Sequence, residues 1–252
     1  MGITGTDVTK NVADMVLADD NFATFVGDVE VGRRIYDNIR KAIQFLLASN
    51  ISEVICIFVA TLLGFTILEP VHLLWINLVT DCFPALALGM EKAEPNIMRR
   101  KPRSATAGIF ANGMGGDIAY QGALVSVLVL SSYFMGHYFE TGNWAMTNSA
   151  DGTTMAFLTM SMAEIFHSLN MRSLRGNVFK LGSSNWALYG AAAGTLLLTT
   201  LVCEVPILAN AFGFTPISLE EYVIAIAIGV LGFFVVEIVK FFQRRAMAAR
   251  TL

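Results

Sequence analysis

Three carboxylates, Glu53, Asp81 and Glu164, stand inside stretches that are otherwise apolar. A charge at the centre of a bilayer costs on the order of 2.5–3.5 kcal/mol, so each of them needs a purpose. No Lys or Arg lies at comparable depth to neutralise them. Polar side chains accompany them at helical spacing. Asn50 and Glu53 share one face; Asn77, Thr80 and Asp81 share a second; Ser161 and Ser168 flank Glu164 by about one turn on either side. Carboxylate, amide and hydroxyl oxygens, without clustered sulfur or imidazole, suit a hard cation such as Ca²⁺, Na⁺ or Mg²⁺ rather than copper or zinc. Cys82 adjoins Asp81 but is a lone thiol, and it reads as packing, as does His167. Acids this crowded call for protons when cations leave, so proton counter-movement is the natural companion of cation traffic.

The elements that must position these groups are membrane helices. The chain has 252 residues, of which 55% are hydrophobic and only 15% charged. A soluble domain carries about 25% charge, and the mean hydropathy is +0.59. Disorder is excluded, because so much apolar surface cannot stay solvated. A formal net charge of −3 gives no support for nucleic-acid binding. Three cysteines without a CxxC pair argue against a disulfide framework. Six stretches reach the roughly 20 residues that a bilayer core requires. They are Ala42–Phe65, Val71–Met90, Asp117–Phe139, Thr153–Met171, Trp186–Leu208 and Glu221–Phe242. The fourth is the least apolar, being interrupted by Thr, Ser, Glu, His and Asn. Gly190 and Gly194 have the spacing for close helix approach, and Pro84 can kink the second span.

All 17 Lys and Arg fall into four clusters. They precede the first span (Lys10 to Lys41), separate the second from the third (Lys92 to Arg103) and the fourth from the fifth (Arg172 to Lys180), and follow the sixth (Lys240 to Arg250). Threading six spans puts every cluster on one side, which the positive-inside rule makes cytoplasmic, with both termini there. Ahead of the spans, Ala13–Ala18 is expected to form a short buried strand, and Asp19–Asn21 a turn. From Phe22 apolar residues recur at helical spacing, and no Pro interrupts the chain from Asn21 to Leu68. A stiff helix should therefore run from a cytoplasmic part into the first span. The expected fold is an all-α membrane protein of six spans, with one strand and a stalk helix at its start.

Asn50-Ile-Ser-Glu53 and Leu74-Trp-Ile-Asn77-Leu-Val-Thr80-Asp81 resemble the fifth and sixth membrane helices of type II P-type cation ATPases, closest to the sarcoplasmic-reticulum class of calcium pumps. Ala13-Asp-Met-Val-Leu-Ala-Asp-Asp20 resembles the end of their phosphorylation domain, and Gly32-Arg-Arg-Ile-Tyr-Asp-Asn-Ile-Arg40 their stalk. The resemblance implies that residues 1–21 are the tail of that domain, 22–41 the stalk helix and 42–252 a six-helix transport domain. It implies a first Ca²⁺ site of Asn50, Glu53, Thr80, Asp81 and Glu164. A second site would be half formed by Asn77 and Asp81, its other half coming from an unwound fourth helix. No DKTG, TGE or TGDGVNDAP motif occurs in the chain. The resemblance therefore implies the C-terminal piece of a pump whose actuator, nucleotide-binding domain and first four membrane helices lie elsewhere. Mg²⁺ and ATP would act only in that parent, in the cell membrane, and the piece would not hydrolyse ATP alone. Its partners would be the lipid bilayer, the transported cation and the missing N-terminal part. Na⁺ stays open as the cargo, as do a stand-alone channel or secondary transporter and a non-transporting membrane module.

Overall fold

Thr6 accepts the amide of Thr9 and starts a short helix, α1 (Asp7–Val12). In this computed structural model, which describes residues 1–104 and 106–249, the chain then runs extended and turns into α2 (Phe22–Leu63). The expected strand at Ala13–Ala18 is absent, and no strand occurs among the described residues. A strand needs a partner, and only the Gly2 amide reaches across, to the Leu17 carbonyl at 2.6 Å. Asp20 fixes this turn. It holds a left-handed backbone (φ 53°) and accepts from Ile3 N, Thr4 N and Thr4 Oγ1 at 3.1, 2.6 and 2.6 Å.

The Thr4 hydroxyl foremost, with the Ile3 and Thr4 amides, holds the Asp20 carboxyl well below the usual carboxylate range against the opposing effect of burial. A depressed carboxyl contributes stability above its unfolded value and loses it as pH falls toward the folded one. Hydrogen exchange at Ile3 and Thr4 should therefore be slow near neutrality and lose its protection in acid. Asp20→Asn should speed that exchange roughly tenfold at neutral pH, the scale of one lost charge-assisted hydrogen bond. Unchanged rates would remove this role.

Asn21 caps α2 through Ala23 N at 2.9 Å, and Gly64, at φ 83°, closes it. Its 42 residues make a rod of about 63 Å, twice a bilayer core. Next come α3 (Pro70–Gly89), α4 (Met114–Thr141), α5 (Ala150–Asn170), α6 (Trp186–Glu204), the short α7 (Pro206–Phe212) and α8 (Leu219–Ala249). Pro206 ends the fifth expected span at Glu204, since it supplies no amide to continue α6. Five of these helices (α2, α3, α4, α6 and α8) are long and apolar enough to cross a membrane. Helix α5 has the length, with 21 residues, but not the apolarity. The reason lies in its surroundings. Every residue from Thr154 to Ile165 is buried, with α4, α6 and α8 packed around it. The outer helices instead leave exposed apolar stripes, Val54, Phe58 and Leu62 on α2 and Leu74, Leu78 and Leu86 on α3.

Small residues let α5 be enclosed so tightly. A Cβ at Gly136 of α4 would stand 2.8 Å from the Cα of Gly152, and one at Gly229 of α8 would stand 3.0 Å from Ala163 N. Gly190 and Gly194, expected at a close approach, face nothing within 4 Å. Gly136→Val should cost about 1–3 kcal/mol of overpacking, whereas Gly190→Val should stay within about 0.5 kcal/mol. Unfolding midpoints in mixed micelles measure both, and equal effects would contradict this packing.

The basic clusters meet at one end of the bundle. Arg33 donates to Ile97 O and Arg100 O, Arg100 pairs with Asp37, Arg175 with Asp117, and Arg244 donates to Arg175 O. Arg250 lies outside the described residues. The loops without basic residues meet at the other end, where Thr66 N reaches Asn148, His72 reaches Phe212 O and Thr215 reaches Asp151.

Candidate cation site

Helix α3 changes its winding where its polar residues lie. Ile76–Asp81 is π-helical, between α-helical turns at Pro70–Trp75 and Cys82–Gly89. Pro84 has no amide for the Thr80 carbonyl, and its ring crowds that oxygen, so the preceding turn widens. Such π turns gather at functional sites, because they swing side chains out of the α-helical register. Here Thr80 and Asp81 are both buried, and the turn brings Asp81 to acids of α2 and α5.

Glu53 of α2, Asp81 of α3 and Glu164 of α5 converge there, one carboxylate oxygen of each lying within 4.8 Å of the others. They are 7%, 1% and 1% exposed. None forms an ion pair with Lys or Arg among the described residues. Asn77 donates to both Glu53 oxygens, at 2.9 and 3.0 Å, and to Leu73 O. Ser49 donates to Glu164 Oε1 at 2.5 Å. Both Asp81 oxygens, Glu164 Oε2, Thr80 Oγ1 and Ser161 Oγ are buried without a hydrogen-bond partner.

Leaving one buried polar group unmet costs about 1–3 kcal/mol. The unmet oxygens of Asp81 and Glu164 belong to this triangle, where a bound hard cation or protons would satisfy them. With Ca²⁺–oxygen distances of about 2.3–2.6 Å, oxygens on opposite sides of one ion lie about 5 Å apart, and the 4.8 Å triangle fits inside that span.

Of the residues singled out by sequence, Glu53, Asn77, Asp81 and Glu164 stand together, with Thr80 beside Asp81. Asn50 does not join them: it is exposed, and its amide turns back to Leu46 O at 2.7 Å. Its place towards Glu164 is taken by Ser49, one turn before Glu53 on the same face, a signal that i, i+4 spacing carried. Ser168 spends its hydroxyl on Ile165 O, and Cys82 is exposed and apart. His167 packs against Phe45 with ring centroids 6.1 Å apart, but its Nε2 lacks a partner, unlike the satisfied packing histidine expected.

Above the site, a second polar cluster fixes the end of α3. Glu91 accepts two bonds from Arg172, at 3.2 and 3.0 Å, and one from Asn185 at 2.8 Å, while Asn38 of α2 holds its carbonyl at 2.8 Å. Arg172 and Glu91 are both buried. The Glu91 carboxylate thus joins the end of α5 to the start of α6, while its backbone carbonyl ties it to α2.

A family profile described as "Cation transporting ATPase, C-terminus" matches residues 65–242. Among curated proteins, the chain is 37% identical over 253 residues to calcium-transporting ATPase 1 of Bacillus cereus, a match covering 95% of this chain and 28% of that protein. It is 37% identical over 232 residues to a calcium-transporting ATPase of Bacillus subtilis, covering 92% and 26%. With an Arabidopsis thaliana calcium-transporting ATPase 3, endoplasmic reticulum-type, the identity is 33% over 264 residues, covering 95% and 26%. The chain spans about a quarter of the length of these relatives.

Proposed function

This chain belongs to the P-type cation-transporting ATPases, and we propose that it supplies the cation-binding part of the membrane domain of an ATP-driven pump that exports Ca²⁺. The observation that carries this reading is the buried triangle of Glu53, Asp81 and Glu164, drawn from three helices and left with unmet oxygens. In the proposed arrangement α2 to α6 and α8 make six spans, with the basic end cytoplasmic and both termini there. The gathering of the basic clusters at one end supports it. Residues 1–21 are the tail of the phosphorylation domain, 22–41 the stalk and 42–252 the transport domain. Glu53, Asp81, Glu164 and Thr80 hold one ion, with Asn77 ordering Glu53. Asn50 is assigned a role only where a further helix covers α2. Protons replace Ca²⁺ on the emptied acids and cross in the opposite direction. ATP and Mg²⁺ act on the longer pump, in the cell membrane.

Helix α2 gives the coupling a physical form. One unbroken rod carries the proposed stalk at one end and Glu53 in its membrane half. A tilt imposed on residues 22–41 therefore moves a ligand of the site without any joint between them.

Inside-out vesicles containing the longer pump provide the test. ATP should drive Ca²⁺ uptake with alkalinisation of the lumen, and Na⁺ should not substitute. Uptake of Na⁺ alone would reassign the cargo, and flux without ATP would favour a channel. Ca²⁺ uptake with no luminal pH change would remove the proton step.

A further inference from the structure

A cavity of about 440 Å³ opens at the basic end of the bundle, between α2, the start of α4 and the loops after α3 and α5. Its walls hold three carboxylates, and each already has a close partner. Asp37 and Glu94 are taken by Arg100, and Asp117 by Arg175 at 2.7 Å and Gln243 at 2.8 Å. Two cations on consecutive residues of α2 remain. Lys41 is 2% exposed, yet its nearest acceptors are Asn38 Oδ1 at 3.5 Å and Glu94 at 3.9 Å. Arg40 donates only to Ala111 O, at 2.7 Å, and weakly to the Met114 sulfur, while its Nε is buried without a partner.

The start of α4 faces the same cavity through Asn112, Met114 and Asp117. Its N-cap is Gly113, and no side chain caps its first amides. A 28-residue helix thus ends in open N–H groups that favour negative charge. A buried lysine whose one acid, Glu94, stands at 3.9 Å, an arginine with an unpartnered Nε, and a helix start whose one first-turn acid, Asp117, is already paired with Arg175 can all take an anion. The space is many times the roughly 30 Å³ that one water occupies in the liquid.

We propose that this cavity binds a phosphate group, held by Lys41, Arg40 and the first amides of α4. The site is separate from the acidic triangle and opposite to it in charge. The phosphate can belong to a lipid headgroup, since α2 leaves the apolar region here, or to free inorganic phosphate.

The test uses the 252-residue chain purified in a phosphate-free maltoside detergent. Inorganic phosphate and dihexanoyl phosphatidic acid are titrated separately by calorimetry, with chloride as the control salt. Saturable binding of at least one is expected, weakened tenfold or more by Arg40→Gln and by Lys41→Met. Binding of the lipid alone identifies a headgroup site, and binding of inorganic phosphate alone a site for the free anion. Should Lys41→Met fail to fold, Arg40→Gln decides by itself. No saturable binding of either probe, or binding that the folded variants leave intact, overturns the proposal.

Discussion

Asp81→Asn should weaken Ca²⁺ binding to the purified chain by about 100-fold or more, a loss near 3 kcal/mol at 1.4 kcal/mol per factor of ten. Both oxygens of Asp81 are buried and unpartnered among the described residues, so no hydrogen bond there has to be given up to a cation. The substitution keeps the shape and removes a charge from a site whose other two acids stay in place. It also puts an amide donor where a cation would be met. Asn50→Ala is the contrasting variant. Its amide is spent on Leu46 O and the residue is exposed, so binding should change less than threefold. Equilibrium binding of radioactive Ca²⁺ separates the two. If Asn50→Ala weakens binding as much as Asp81→Asn does, the triangle is not the centre of the site.

The other large effect is expected away from the acids. Arg172→Met should destabilise the fold by about 3–5 kcal/mol, because Glu91 would be left as a buried carboxylate without a counter-charge. Asn185 would still donate to it, but a neutral amide cannot offset a full charge at 2% side-chain exposure. The double variant Arg172→Met with Glu91→Gln removes both charges and should recover most of the loss. Unfolding in mixed micelles measures each. A single-variant cost below 1 kcal/mol, or a double variant as unstable as the single, would show that the pair does not fasten α3 to its neighbours.

Chemistry was more legible in the sequence than geometry. The acids of the triangle stood out because a lone charge in an apolar run is costly wherever it points. The basic clusters were readable for the same reason, since charge cannot hide in lipid. Directions within helices were not readable. Asn50 and Ser49 are neighbours about 100° apart on α2, and only packing decides which faces α5. The π turn at Ile76–Asp81 broke the assumption that Asn77, Thr80 and Asp81 keep α-helical register; Pro84 was its one visible sign. The strand at Ala13–Ala18 failed because a short, mostly apolar run reports a tendency, while a ladder requires a second segment. Gly190 and Gly194 carried the spacing for close contact but met no helix, whereas Gly136 and Gly152, on successive helices and in no recognisable motif, met each other.

The burial of α5 also bears on how the protein is made. A translocon sorts each emerging segment by its affinity for lipid, and Ala150–Asn170, with Glu164 well inside it, offers little. Yet the Gly136–Gly152 contact places α5 against α4 close to the short turn that joins them. The apolar α4 can therefore carry its polar successor into the bilayer as a hairpin, shielding one flank until α6 and α8 arrive. On this account Glu164, the proposed cation ligand, enters the membrane on borrowed hydrophobicity, and the order of synthesis becomes a condition for assembling the triangle.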